Sequence, residues 1–168
     1  MQNARLAVLI VLVAVGLGCA QRFPQVSADS PEDSVDLVEE YWPNGQLKLR
    51  KYVLPQADGT AVNHGTFERW YDNGAKEYEA FFSYGKKEGV TVRYHKNGQK
   101  SAQQEYRNGK RHGLSVSWDP TGARVKEEHW ADGRPHGTWT VWEDGRVKWR
   151  HTYEHGDPEP AGQPDGRG

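Results

Sequence analysis

The segment YRNGKRHGLSVSWDPTG, residues 106–122, holds three glycines, two large aromatics and a cluster of cations. Its glycines suggest either a phosphate-cradling loop or one copy of a structural unit, and the rest of the chain chooses between them. Upstream, residues 82–98 read FSYGKKEGVTVRYHKNG; downstream, residues 130–145 read WADGRPHGTWTVWEDG. The turn glycines Gly74, Gly98, Gly122 and Gly145 are spaced by 24, 24 and 23 residues, a period that marks a repeat array. A second glycine follows eleven residues later (Gly85, Gly109, Gly133, Gly156) and a third four after that (Gly89, Gly113, Gly137). An aromatic comes five residues beyond the third (Tyr94, Trp118, Trp142). Asn44-Gly45 and the stretch from His64-Gly65 to Trp70 form a first unit, lengthened by an insertion around residues 55–62. This makes five units, the last incomplete.

Each unit reads as two short strands joined by turns, because Asn-Gly and Asp-Gly supply the positive φ angles that tight hairpins require. Between turns the pattern has period two: Val90, Val92 and Tyr94 share one face, as do Leu114, Val116 and Trp118, while Thr91, Arg93, Ser115 and Ser117 point the other way. The partner strands are mostly polar. Each carries an aromatic eight residues after its turn glycine, at Phe82, Tyr106, Trp130 and Tyr153, which predicts an aligned and stacked aromatic row. With mean hydropathy at -0.93 and much of the aliphatic content in the first nineteen residues, these aromatics must supply most of the apolar contact area.

Residues 105–113, EYRNGKRHG, resemble the core of a MORN repeat (membrane occupation and recognition nexus), and the longer periodic pattern resembles the MORN repeat variant. The classical repeat has Gly-x-Gly after the histidine. Here Gly89-Val90-Thr91, Gly113-Leu114-Ser115 and Gly137-Thr138-Trp139 stand instead, which favours the variant. Bacterial proteins of this variant are often labelled YwqK-type antitoxins of toxin-antitoxin pairs. The resemblance covers residues 41–156 and implies an all-β fold: an elongated antiparallel sheet of stacked β-hairpin repeats, about 24 residues per unit, each touching only its neighbours. Five such units at roughly 4.8 Å per strand extend about 45 to 50 Å.

The opening MQNARLAVLIVLVAVGLGCA has one cation, Arg5, then an apolar run from Leu6 to Leu17, then small residues before Cys19. This is the pattern of a signal peptide, expected at residues 1–18; a run of this length falls short of the roughly 20 residues a spanning helix needs. Cys19 is the chain's single cysteine, which precludes an intramolecular disulfide, and Gly16-Leu17-Gly18-Cys19 resembles a bacterial lipobox. Lipidation of Cys19, which then becomes the mature N-terminus, is the expectation. Residues 20–40 hold six acids against Arg22, a net of -5, and with residue 19 are expected to form an acidic flexible tether. Residues 41–156 hold nineteen Lys and Arg against fourteen Asp and Glu, a net of +5; residues 157–168, net -2, read as a disordered tail.

The glycine pattern lacks the Walker spacing and a following helix, so it reads as turns. His64, His112 and His136 recur just before the third glycine, with Glu88 in the remaining copy. Copies two strands apart lie roughly 9.5 Å from one another, too far to share one ion, so no metal or other cofactor is expected there. His151 and His155 lack a third ligand. Ser115 and Ser117 have no His and Asp arranged around them, and Glu127 and Glu128, adjacent on a strand, face opposite sides, so no enzyme activity is expected. Lys86, Lys87, Lys110, Arg111 and Arg134 occupy equivalent turns and are expected to form one basic ridge able to meet anionic lipid headgroups or an acidic protein. An exported chain does not ordinarily meet nucleic acid. The sequence therefore points to a noncatalytic scaffold on the bacterial envelope, at the outer membrane or periplasmic face, that binds a protein or envelope component. The alternatives are neutralisation of a toxin and glycan binding through exposed Trp139, Trp142 and Trp149.

Overall fold

A computed structural model describes residues 34–154 and 156–158. The expected signal peptide, Cys19, the first part of the tether, His155 and the tail from residue 159 lie outside the described residues. The described chain is built from strands: β1 (Asp36–Tyr41), β2 (Leu47–Pro55), β3 (Ala61–Trp70), β4 (Lys76–Ser83), β5 (Lys86–Tyr94), β6 (Lys100–Arg107), β7 (Lys110–Trp118), β8 (Arg124–Ala131), β9 (Arg134–Pro135), β10 (Gly137–Glu143), β11 (Arg146–Glu154) and β12 (Asp157–Pro158). They form one antiparallel sheet in chain order, with β9 pairing with β8 beside the main path. The all-β hairpin array expected from the sequence is therefore the fold. Pro135, without an N–H to donate, separates β9 from β10 where the other units have one continuous strand.

Two kinds of turn alternate, and each repeats because its residues do. At Trp42–Gln46, Tyr71–Ala75, His95–Gln99 and Asp119–Ala123, the N–H of Gly45, Gly74, Gly98 or Gly122 donates to the carbonyl of the first loop residue, at 2.9 to 3.0 Å. At Tyr84-Gly85, Asn108-Gly109 and Asp132-Gly133 both residues have positive φ (46° and 79°, 51° and 80°, 50° and 86°), the two-residue turn that matches strand twist. The 23-residue spacing has its cause here: Trp142 pairs with Val147 where Trp118 pairs with Arg124, one residue fewer. The last loop closes as a two-residue turn at Asp144-Gly145. The insertion in the first unit is a lengthened hairpin with a loop at Gln56–Thr60 in place of a tight turn.

Both turn edges bond one unit to the next. The N–H groups of Gly85, Gly109 and Gly133 donate to the carbonyls of Asn63, Lys87 and Arg111 in the preceding unit, at 2.8, 2.9 and 2.8 Å. On the opposite edge the Asn44, Asn73 and Asn97 amides donate to the carbonyls of Asp72, Lys96 and Pro120 in the following unit, at 2.8, 3.1 and 2.7 Å. Thr121 has no amide to continue this ladder, and the next turn has changed type.

The third glycines, Gly65, Gly89, Gly113 and Gly137, have φ of 100°, 72°, 77° and 63° and stand in register opposite Phe82, Tyr106, Trp130 and Tyr153. In β7, four steps from Arg111 to Ser115 face two steps of β6, from Gln104 to Tyr106, so the strand bulges at Gly113 and twists more strongly. Burial falls on both faces of this single layer. Val92 and Val116 are buried on one face, and Thr91 and Ser115, which alternation sends the other way, are buried too, at 4% and 2% exposure. Long side chains from neighbouring strands cover them. On the first face Lys76 Nζ lies 2.7 Å from Glu68 and 3.0 Å from Glu79, and the Tyr94 hydroxyl donates to Glu79 at 2.7 Å.

The array starts earlier than expected. β1 begins at Asp36, inside residues 19–40, whose composition suggested a tether, because its acids meet a basic partner strand: Glu39 pairs with Arg50 at 2.7 Å and Glu40 with Lys48 at 3.0 Å. At the other end Asp157 and Pro158, the first residues of the expected tail, pair with Glu154 and Tyr153.

Candidate functional site

Period-two alternation divides the expected basic ridge between the two sides of the sheet. Lys86 and Lys110 run beside the turn glycines of the next unit, where a Cβ added at Gly109 or Gly133 would lie 3.5 Å from Lys86 Cβ or 3.7 Å from Lys110 Cβ. Arg134 has the same relation to Gly156. Lys87 and Arg111 lie on the other side, opposite Phe82 and Tyr106, and reach over the ring of the following strand. Lys87 Nζ sits 4.9 Å from the Tyr106 centroid and the Arg111 guanidinium 4.7 Å from that of Trp130. One ridge thus becomes two rows, because adjacent strand residues point in opposite directions.

The expected aromatic stack is corrected in the same way. Phe82, Tyr106 and Trp130 align, but on alternate strands about 9.6 Å apart their rings cannot touch. Lys87 and Arg111 fill the gaps. Rings meet directly at both ends of the row, where Phe67 lies 5.6 Å from Phe82 and Trp139 lies 4.9 Å from Trp130 and 4.8 Å from Tyr153. A further cation belongs to this face: Arg93, in register with Tyr78, places its guanidinium 5.0 Å from the Tyr78 centroid, while Lys87 approaches the same ring at 5.6 Å. Arg93 escaped a reading based on turn positions. Its even spacing from Lys87 was the available signal.

None of Lys87, Arg93 and Arg111 has a carboxylate partner among the described residues. Across β2 to β8 the carboxylates of this face are held by other cations: Glu128 is buried and held by Lys126 at 3.0 Å, and Glu77, at the β4 bulge, pairs with Arg69 at 3.2 Å. Among the described residues three buried side-chain polar atoms have no hydrogen-bond partner: the Tyr78 hydroxyl, Ser115 Oγ and Trp130 Nε1. All three belong to this face. A buried polar group without a partner costs about 1 to 3 kcal/mol, so their clustering beneath unpaired cations marks the face as the candidate site.

The histidine slot has a structural task instead. His64 Nδ1 accepts the Tyr84 N–H at 3.2 Å, Glu88 accepts that of Asn108 at 2.7 Å, and His112 Nδ1 accepts that of Asp132 at 3.5 Å. Each therefore holds the tight turn of the following unit. Among the described residues no three His, Cys, Asp or Glu side chains are grouped to hold a metal ion. Trp139 and Trp149 contact neighbouring rings, and Arg124 lies 5.6 Å over Trp142. All three tryptophans are half-buried.

Two segments, residues 63–84 and 87–108, match the family model of the MORN repeat variant. Each runs from a bulged strand through the long loop to the next tight turn, so the matched unit is the structural one. These two segments are similar to MORN-variant repeats. The same geometry continues beyond the matched segments, since Gly113 faces Trp130 as Gly65 faces Phe82 and Gly89 faces Tyr106. Among curated proteins none matches the chain significantly. The chain is a repeat scaffold of hairpins.

Proposed function

We propose that this scaffold is noncatalytic and binds an acidic segment of a protein or envelope component through the face that carries Lys87, Arg93 and Arg111, while a lipid on Cys19 holds it at the bacterial envelope. The observation that carries this reading is the coincidence of three unpartnered buried polar atoms with three unpaired cations on one side of a single-layer sheet. A toxin with an acidic surface is one such partner. Stacking of sugars on the aromatic row is less favoured, because Lys87 and Arg111 already lie over the rings of Tyr106 and Trp130.

The full chain is tested against a polyglutamate peptide and, separately, against anionic liposomes. Lys87, Arg93 and Arg111 are replaced together by Gln, and Lys86, Lys110 and Arg134 are replaced in a second variant. The expected result is peptide binding that the first variant loses, the second retains and raised salt weakens. Equal binding by both variants would contradict the assignment, and binding to liposomes alone would move the partner from protein to lipid. For the anchor, mass spectrometry of the native protein is expected to find an acylated Cys19 at the mature N-terminus. An unmodified start elsewhere would remove the anchor from the proposal.

A further inference from the structure

We propose that copies of this chain associate head to tail, the acidic outer edge of β1 in one copy pairing antiparallel with the basic outer edge of β11 in the next. This concerns the ends of the sheet and goes beyond the binding face.

The ends are open among the described residues. β1 pairs with β2 alone, and β11 meets β12 only at Tyr153 and Glu154, which leaves residues 146–152 without an outer partner strand. Of the six exposed large hydrophobic side chains among the described residues, four lie at these ends: Val35, Leu37 and Tyr41 at 38%, 48% and 57% exposure, and Val147 at 50%. The charges are opposite. β1 carries Asp36, Glu39 and Glu40 and no cation, whereas β11 carries Arg146, Lys148 and Arg150 against Glu154. Like edges therefore repel while unlike edges attract, which disfavours β1 to β1 and β11 to β11 pairing and selects one arrangement.

Direction and register agree with that arrangement. β11 is the tenth strand along the main path, so a translated copy brings its β1 in antiparallel. One cross-strand row crosses the whole sheet on a single face, from Glu39 opposite Arg50 in the first hairpin to Thr140 opposite Arg150 in the last. Extending the row by one strand sets Glu39 of the next copy opposite Arg150, Tyr41 opposite Lys148 and Leu37 opposite Thr152, and the pairing stops there because Tyr153 already pairs with Pro158. Arg150 donates to the Thr140 hydroxyl at 3.2 Å and has no carboxylate partner among the described residues. Such a contact is heterologous and does not close, so it builds an open row of copies.

Sedimentation velocity on the full chain in density-matched detergent reads this directly. The expected result is growth past the dimer as concentration rises. Glu39→Arg or Arg150→Glu each turns an attraction into a repulsion and should weaken association about tenfold. Mixing the two single variants should restore it. A species of constant size, a dimer that does not grow, indifference to both changes, or a mixture that stays dissociated would each overturn the proposal. Because Glu39→Arg also breaks the pair with Arg50, a second variant carries Glu39→Cys and Arg150→Cys together. On oxidation it should give a ladder of disulfide-linked multimers above the background that Cys19 produces in the parent chain, and absence of a ladder would equally overturn the proposal.

Discussion

Glu88 stands where His64, His112 and His136 stand in other units, and Glu88, His64 and His112 each accept the backbone N–H of the next tight turn. What the slot requires is an acceptor on a short arm. Glu88→His should therefore leave stability within about 0.5 kcal/mol of the parent, whereas Glu88→Leu, which leaves the exposed Asn108 N–H to solvent, should cost about 1 kcal/mol, the net worth of one hydrogen bond, in urea unfolding. Tyr94 and Lys76 give the array a pH dependence. Burial and then the hydrogen bond to Glu79 push the Tyr94 phenol well above its ordinary value. For Lys76 burial works against the charge, but the hydrogen bonds to Glu68 and Glu79 outweigh it and the pKa is raised. Both groups are thus held protonated in the folded state. Their contribution is complete below the unfolded values near 10 and is lost as pH rises through the folded ones. Urea midpoints at about pH 8 and about pH 11 should show a fall in the parent and a shallower fall in Tyr94→Phe.

At the scale of the element, the bulge at the third glycine shapes each unit. Gly113, at φ 77° and in register with Trp130, cannot take a side chain without strain, and Gly113→Ala should cost about 1 to 2 kcal/mol in the same unfolding assay. The hairpins themselves were legible in the sequence because turn chemistry and alternation are local and repeat four times in register. β1 was not. DLVEEY reads as a solvated acidic stretch until LKLRKY is laid beside it, and that pairing is a tertiary fact. The site was legible in the same measure. Lys87 and Arg111 were found by their turn position, but which cations share a face follows from parity through the bulge, and that grouped them with Arg93 and separated them from Lys86, Lys110 and Arg134. The orphaned atoms of Tyr78, Ser115 and Trp130 depend on burial from neighbouring strands, which no single strand announces.

At the scale of the molecule, the array has no continuous interior, and no large side chain among the described residues is completely shielded from solvent. Stability then resides in nearest-neighbour terms: paired strands, turn-to-turn hydrogen bonds, and rings interleaved with cations. Interior units have neighbours on both sides and end units on one. Trp130 lies between Arg111 and Trp139, whereas Tyr153 ends the row against Trp139. The most direct measurement is urea unfolding of the full chain, followed by Trp fluorescence and far-UV circular dichroism, for Trp130→Ala against Tyr153→Ala. A linear array loses about 3 kcal/mol or more and most of its strand signal transition with Trp130→Ala, while Tyr153→Ala frays the last hairpin and leaves the main transition in place. Equal destabilisation by the two changes would mean a single cooperative core, and would contradict a stack held together only by neighbours.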